Sequence, residues 1–360
     1  MTSSREPDWT EADIGDQTGR TILITGANSG IGYEAARALA QHGAHVVLGC
    51  RTRSKADDAV ARIDATNPSG STEILEMDLA DLDSVADAAA RFASEHERLD
   101  VLVNNAGLMA TPKQRTAQGF EMQFGVNHLG HFALTGHLIE MLMASGPARV
   151  VSISSQGHRP GKIRFDDINS EKKYSAWPAY FQSKLANLLF TRELQRRLAL
   201  AESEVIAVAA HPGLSSTNLG HESSGVLSSM MQWTRPVFDR FASQSAAMGA
   251  LPTLRAAVEE SVAGGDYFGP NGFGEQRGHP VKVDSSSRAK DDAAAGRLWE
   301  LSEEFTRWRT RSERAPRSVS RRCDDCRLET TGPSGGPVPL GNGQLGCDQR
   351  TPSKRPKSVS

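Results

Sequence analysis

The chain lacks any long apolar run. Its longest apolar stretches fall well short of the roughly 18 residues that a bilayer-crossing helix needs, so none of its 360 residues is expected to span a membrane. It also lacks an excess of charge of either sign: 41 Lys and Arg stand against 43 Asp and Glu, a formal net charge of −2. A chain balanced in this way carries no electrostatic footprint for nucleic acid or an anionic surface. Cysteine is scarce. Cys50, Cys323, Cys326 and Cys347 are too few and too scattered for a disulfide framework. Cys323-x-x-Cys326 has no second pair or nearby histidine to complete four zinc ligands, so no metal site is expected. The first stretch, MTSSREPDWTEADIGDQTGR, is polar and acidic, unlike a signal peptide or an anchor. Residues 1–18 are expected to be a flexible segment, and the protein to be soluble and cytoplasmic.

Short apolar runs alternate with longer amphipathic segments. The runs are TILIT (21–25), HVVLG (45–49), EILEM (73–77), DVLVNN (100–105), RVVSIS (149–154) and EVIAVAA (204–210), with YFG (267–269) as a further piece. Most are continuous rather than alternating, as strands covered on both faces should be. Helix-like stretches lie between them at 31–42, 54–65, 81–95, 120–144, 178–200, 245–262 and 289–309. This alternation implies a parallel sheet with right-handed crossovers in an α/β domain over 19–310. Residues 214–245, rich in Ser, Gly, Met and Trp, are expected to cover a substrate at the carboxyl end of the sheet. Residues 311–360 hold ten Lys and Arg against five Asp and Glu and almost no large apolar side chains. Such a tail cannot offset its ordering entropy, and disorder is expected.

The first run leads into Gly26, Gly30 and Gly32 and then a helix. The spacing is G-x-x-x-G-x-G, but the physics is that of other phosphate-binding turns. Residues without Cβ let a pyrophosphate approach, and the N–H groups of the following helix point at it. The second run ends at Arg51, with Arg53 and Lys55 behind it, where an NAD site would place an acid. Cations there suit a 2′-phosphate and favour NADP over NAD. Asp78 follows the third run, placed either to accept from an adenine amino group or to cap the helix near Asp81. Asn104-Asn105-Ala106-Gly107 ends the fourth run and leaves room for a flat ring. Ser154 and Ser155 end the fifth, where a hydroxyl can bond a substrate carbonyl or merely cap a turn. His128 and His131, one turn apart, have no acidic or Cys ligands beside them and read as packing residues. His211-Pro212-Gly213 closes the sixth run.

Tyr180 and Lys184 stand four apart on a helix, so a phenol and an ammonium share one face. A cation about 4 Å from the phenol is worth roughly 4 kcal/mol at an effective dielectric of about 20. Realised in full, that would lower the phenol by about three pKa units, towards neutrality. A group poised there exchanges protons with a substrate oxygen.

Taken together, Thr25-Gly26-Ala27-Asn28-Ser29-Gly30-Ile31-Gly32, Asn104-Asn105-Ala106-Gly107, Ser155, Tyr180-Phe181-Gln182-Ser183-Lys184 and Pro212-Gly213 resemble the motifs of the short-chain dehydrogenase/reductase family, in the family's order over about 20–270. The 25 residues from Ser155 to Tyr180 and the SKLANLLFTRELQRRL that follows are similar to the retinol dehydrogenase-like branch. The resemblance implies a Rossmann-type doubly wound parallel sheet of about seven strands. It implies Tyr180 as general acid/base and Lys184 as the residue that acidifies it and binds the nicotinamide ribose. Ser155 would orient the carbonyl and Asn127 would hold a relay water. The implied dinucleotide site is Gly26, Asn28, Ser29, Gly30, Ile31, Gly32, Arg51, Asp78, Leu79, Asn105, Ala106, Gly107, Tyr180, Lys184, Pro212, Gly213 and Thr217. No membrane anchor is expected ahead of the domain, unlike many animal retinol dehydrogenases, which weighs against retinol itself as the substrate.

The expected activity is NADP(H)-dependent hydride transfer on an apolar alcohol or carbonyl, in a protein that can form homo-oligomers as the family often does. Two alternatives stand beside it: a catalytically silent dinucleotide-binding sensor or scaffold, and a reductase of a C=C bond.

Overall fold

Ile22, Leu23 and Ile24 are consecutive, and all three are fully buried. That is possible in a strand only if both faces of its sheet are covered. The computed structural model describes residues 8–214 and 244–308, and in it Thr21–Thr25 forms the first strand, β1. His45–Cys50 (β2), Ser71–Glu76 (β3), Val101–Asn104 (β4), Arg149–Ile153 (β5), Ile206–Ala210 (β6) and Tyr267–Pro270 (β7) follow. An eighth, Pro280–Lys282 (β8), is added at the edge. The order is β3-β2-β1-β4-β5-β6-β7-β8. All pairs are parallel except β7 with β8, which is antiparallel. The seven expected strands are therefore the parallel ones. The extra strand is three residues long, too short for a periodic signal.

The helices are Gly30–Gln41 (α1), Arg53–Asp64 (α2), Leu82–Glu95 (α3), Met122–Phe124 (α4), Gly130–Ala144 (α5), Ala176–Leu200 (α6), Ala246–Val258 (α7) and Asp292–Thr306 (α8). Alternate strand residues go to opposite cores. Ile22, Ile24, Val46, Leu48, Val103 and Val151 meet α1, α2 and α7 on one face. Leu23, Val47, Leu75, Leu102 and Val150 meet α3, α5 and α6 on the other. Burial of each such aliphatic side chain contributes about 1.5–3 kcal/mol. The chain turns back on itself between β1 and β4, the switch point where open α/β sheets bind ligands beyond the carboxyl ends of their strands.

Two expectations need correction. Residues 8–18 do not form a flexible leader. Trp9 and Ile14 are buried, Trp9 Nε1 donates to Glu259 at 2.8 Å, and Glu11 pairs with Arg37 at 2.7 Å. Two apolar side chains in an otherwise polar stretch suffice to tie it to α1 and α7. The single helix expected over 120–144 is interrupted by a π turn at Gly125–Leu129, between α4 and α5. The described residues fall within one compact unit, Met1–Arg314. Of the expected cover at 214–245, only Leu214, Gln244 and Ser245 are described; Thr217 and the tail at 311–360 lie outside the described residues.

Candidate active site

β1 ends in a turn that only glycine makes without strain. Gly26 and Gly30 have φ of +67° and +56°. A Cβ on Gly32 would stand 2.5 Å from Asn105 Nδ2 and from the Gly26 carbonyl oxygen, so its absence lets α1 pack against the β4 loop. Ser29 is the N-cap of α1 but its side chain makes no cap bond, and the first turn holds no acid. The backbone N–H groups of that turn thus have no side-chain acceptor. Asn28 and Ser29 flank this opening, and Ile31 is buried beneath it. The Cys50 thiol, at the end of β2, lies against the backbone of Ala27 and Asn28; burial pushes the thiol up to about 11.

Thr25 joins the turn to the end of β4. Its Oγ1 accepts from Asn105 N and Ala106 N, each at 2.9 Å, while Asn105 Nδ2 donates to Thr25 O at 2.7 Å. His131 completes this joint, with Nε2 2.8 Å from Thr25 Oγ1 and Nδ1 3.1 Å from Asn127 O. Burial pushes His131 down to about 4. The neutral ring therefore donates from Nδ1 to the Asn127 carbonyl and accepts the threonine hydroxyl at Nε2. His128, pushed by burial to about 3, is a neutral packing residue against Phe124, as expected. Asn104 is buried and donates to Thr135.

Asn127 lies in the π turn and is fully buried. Its Oδ1 accepts from Leu108 N at 2.7 Å; its Nδ2 donates to Leu108 O at 2.9 Å and to Ser183 Oγ at 2.8 Å. The side chain clips the loop after Gly107 to α6. Gly107 is the point of convergence: a Cβ there would lie 3.3 Å from Asn127 Oδ1 and 3.4 Å from Lys184 Nζ.

Tyr180 and Lys184 are both buried on α6. Pro178 is tolerated near them because it occupies the first turn, where its missing N–H is not needed. Lys184 Nζ donates to Ile153 O at 3.1 Å and stands 5.9 Å from the centre of the Tyr180 ring. Ser155 lies near enough to the Tyr180 hydroxyl to oppose the rise of the phenol, and its Oγ accepts from Gly157 N at 3.1 Å. Ser154 is turned elsewhere, donating to the Lys184 carbonyl at 2.8 Å. Gly157 was not singled out from sequence, yet a Cβ there would lie 3.1 Å from the Tyr180 ring, so a glycine lets the turn lie flat against the phenol.

The expected acidification of Tyr180 is not what this geometry gives. Burial raises the phenol above its ordinary value, opposed by the Ser155 bond alone. Desolvation brings Lys184 down to about 8 instead. Burial acts on both groups at once, and the Lys184 charge does not offset it at the phenol. Tyr180 is thus a protonated phenol at neutral pH, the form that gives a proton.

The remaining residues divide. Asp78 does not cap the next helix; its Oδ1 accepts from Ala80 N at 2.9 Å, while Asp81 is the N-cap of α3. Leu79 packs under Gly130. Arg51 is exposed at the end of β2. Pro212 and Gly213 follow β6, and Gly213, at φ +67°, would clash with Gln276 O if it carried a Cβ. A network unseen in the sequence borders this end. His211 Nε2 is 3.0 Å from Glu275, which also binds Gln156 and, at 3.0 Å, Arg159. The His211 bond holds the Glu275 carboxyl below its ordinary value.

These elements fit a dinucleotide. An uncapped helix N-terminus behind a glycine turn suits a pyrophosphate, and a buried ammonium bonded to one carbonyl retains donors for hydroxyls. A sequence model of the family described as short chain dehydrogenase matches residues 20–225. The chain is 41% identical over 286 residues to retinol dehydrogenase 12 of Mus musculus, covering 79% of this chain and 85% of the relative. It is 41% identical to retinol dehydrogenase 13 of Homo sapiens, covering 78% and 82%. A crystal structure of an uncharacterised protein from Mycobacterium paratuberculosis is 43% identical, with a TM-score of 0.69 over 84% of this chain and 98% of that one. A protein from Beutenbergia cavernae, described as an NAD(P) dependent gluconate 5-dehydrogenase with NADP bound at low occupancy, is 27% identical, with a TM-score of 0.55 over 70% and 95%.

Proposed function

The chain belongs to the short-chain dehydrogenase/reductase family, in its retinol dehydrogenase-like branch, and on that premise we propose that it is an NADP(H)-dependent oxidoreductase of apolar alcohols and carbonyls with Tyr180 as its proton donor. The observation that carries this reading is the meeting of Tyr180, Ser155 and Lys184 beside Gly107 at the carboxyl ends of β4 and β5. The nicotinamide, when bound, supplies or takes the hydride.

In the reductive direction the protonated Tyr180 gives its proton to the substrate oxygen. Ser155 bonds the same oxygen and stabilises the charge that develops on it. Lys184 would hold the nicotinamide ribose, and its charge stabilises the phenolate left behind. The Asn127 carbonyl, which accepts from His131, would hold a relay water. Gly26, Asn28, Ser29, Gly30, Ile31 and Gly32 cradle the pyrophosphate. Arg51 would take the 2′-phosphate, Asp78 and Leu79 would border the adenine, and Asn105, Ala106, Gly107, Pro212 and Gly213 would line the ribose and ring. The retinol dehydrogenases among its relatives support an apolar substrate, and the NADP-bound neighbour supports the phosphorylated cofactor.

The test is oxidation of NADPH and of NADH over a panel of apolar aldehydes and ketones, with product analysis. Turnover to alcohols with NADPH preferred is expected. Cofactor binding without turnover would indicate a sensor instead, and saturation of an enone C=C bond would indicate the other reductase chemistry. Arg51→Asp should lower the NADPH/NADH preference about 10–100-fold, the worth of one charge-assisted bond of about 1.5–3 kcal/mol. An unchanged ratio removes Arg51 from the cofactor site.

A further inference from the structure

A second constellation lies at the opposite, amino-terminal end of the sheet. His45 opens β2, Glu73 lies on β3, and His96 is the C-cap residue of α3. Register brings them together. His45 pairs with Ser71, and Val47 with Glu73, so His45, Ser71 and Glu73 project to the α3 side of the sheet. The His45 and His96 rings stack with centres 5.5 Å apart. Both Nε2 atoms point at one carboxylate oxygen, Glu73 Oε2, each at 3.2 Å. One ligand atom from each residue lies within 4.8 Å of the others.

The opposite ring nitrogens are already engaged. His96 Nδ1 is 3.1 Å from Phe92 O, a group that only accepts, so this nitrogen carries the proton. In the neutral ring that leaves Nε2 with the lone pair that a metal ion takes. His45 Nδ1 lies 2.8 Å from Ser71 Oγ, a hydroxyl able to accept its proton. Outer partners of this kind fix the ring and tautomer of metal-bound histidines. The separations also suit a metal. Ligands at about 2.0–2.1 Å from a tetrahedral Zn²⁺ stand about 3.3–3.4 Å from one another; each histidine is 3.2 Å from Glu73, and the two Nε2 atoms are within 4.8 Å.

We propose that His45 Nε2, His96 Nε2 and Glu73 Oε2 form a binding site for a divalent transition metal of the zinc class, with water as the fourth ligand, that clamps the edge strand β3 and the end of α3 to β2. Two imidazoles and one carboxylate select Zn²⁺ over Mg²⁺ or Ca²⁺, which favour oxygen donors. The site is on the edge of the molecule, away from the strand ends that carry Tyr180 and Lys184, so it serves the fold rather than hydride transfer.

The experiment uses the untagged full chain with Cys323, Cys326 and Cys347 changed to Ser, because those thiols would compete for the metal. The protein is stripped with chelator and titrated with Zn²⁺ by calorimetry and with Co²⁺ by visible absorption. One equivalent of Zn²⁺ is expected, with ligand-field bands for tetrahedral Co²⁺. The melting temperature should rise by roughly 3–8 °C at a hundredfold excess over Kd. His96→Ala and the near-isosteric Glu73→Gln should each weaken Zn²⁺ binding at least about 10–100-fold, the range that loss of an outer partner alone produces. Both should leave NADPH turnover unchanged. The proposal is overturned by the absence of a Zn²⁺ equivalent. It is equally overturned if circular dichroism shows Glu73→Gln folded and still binding Zn²⁺ with parental affinity.

Discussion

Lys184 is held where its charge is costly. It is buried, and desolvation brings it from the ordinary lysine value of 10.5 to about 8. The folded chain therefore binds fewer protons than the unfolded chain between those two values, and stability rises with pH through that window. Below pH 8 the full penalty applies, about 3 kcal/mol at 1.36 kcal/mol per unit. Replacing the ammonium with an apolar side chain of similar length removes the penalty. The carbonyl left behind keeps a donor, because Asn187 Nδ2 also bonds Ile153 O at 3.0 Å. Lys184→Met should thus stabilise the cofactor-free protein by about 1–3 kcal/mol at pH 7 in urea unfolding, with the gain shrinking as pH rises towards 10, while turnover is lost. A Lys184→Met protein less stable than the parent at pH 7 would contradict this account. The same residue shows where sequence reasoning stops. The spacing of Tyr180 and Lys184 was legible because four residues make one helical turn. The sign of the Tyr180 shift was not, because it depends on how much water the neighbouring elements exclude.

Among elements, the π turn at Gly125–Leu129 is what places Asn127. One wider turn lets Asn127 reach Leu108 with both ends of its amide while its carbonyl meets His131. π turns recur at functional sites for this reason: they re-aim one side chain without ending the helix. Asn127→Ala would leave Leu108 N–H, Leu108 C=O and Ser183 Oγ each short of a partner. The expected cost is about 2–4 kcal/mol in urea unfolding, and a loss under 0.5 kcal/mol would show that the clip is dispensable. Helical periodicity marked 120–144 as one helix because an inserted residue shifts the pattern by less than a short window resolves. The glycine turn was easier to read. Gly26, Gly30 and Gly32 lie within seven positions, and each answers a local demand of φ or close approach. His45, Glu73 and His96, or His211 and Glu275, gave no such signal, since only strand register and crossover geometry bring them together.

At the scale of the molecule, the parallel sheet sorts chemistry by end. The strand order places the β1 turn beside the β4 loop, and the ends of β5 and β6 beside them. Continuous apolar runs foretold this sheet because burial on both faces leaves no polar alternation to detect. The antiparallel β8 and the anchoring of Trp9 escaped notice because each rests on a few residues with distant partners. The arrangement makes a dinucleotide site and a proton donor separable. In the proposed function, binding rests on the β1 turn and the strand ends, whereas proton transfer rests on the Tyr180 hydroxyl.

Tyr180→Phe removes that hydroxyl and little else. Its rate of NADPH-dependent carbonyl reduction and its Kd for NADPH, followed by cofactor fluorescence, test the central claim directly. The account predicts a fall in turnover of at least about 10²–10⁴-fold, the contribution of a positioned acid or base, with the Kd within about threefold of the parent, a difference of less than 1 kcal/mol. Turnover near the parental rate in this variant would contradict it.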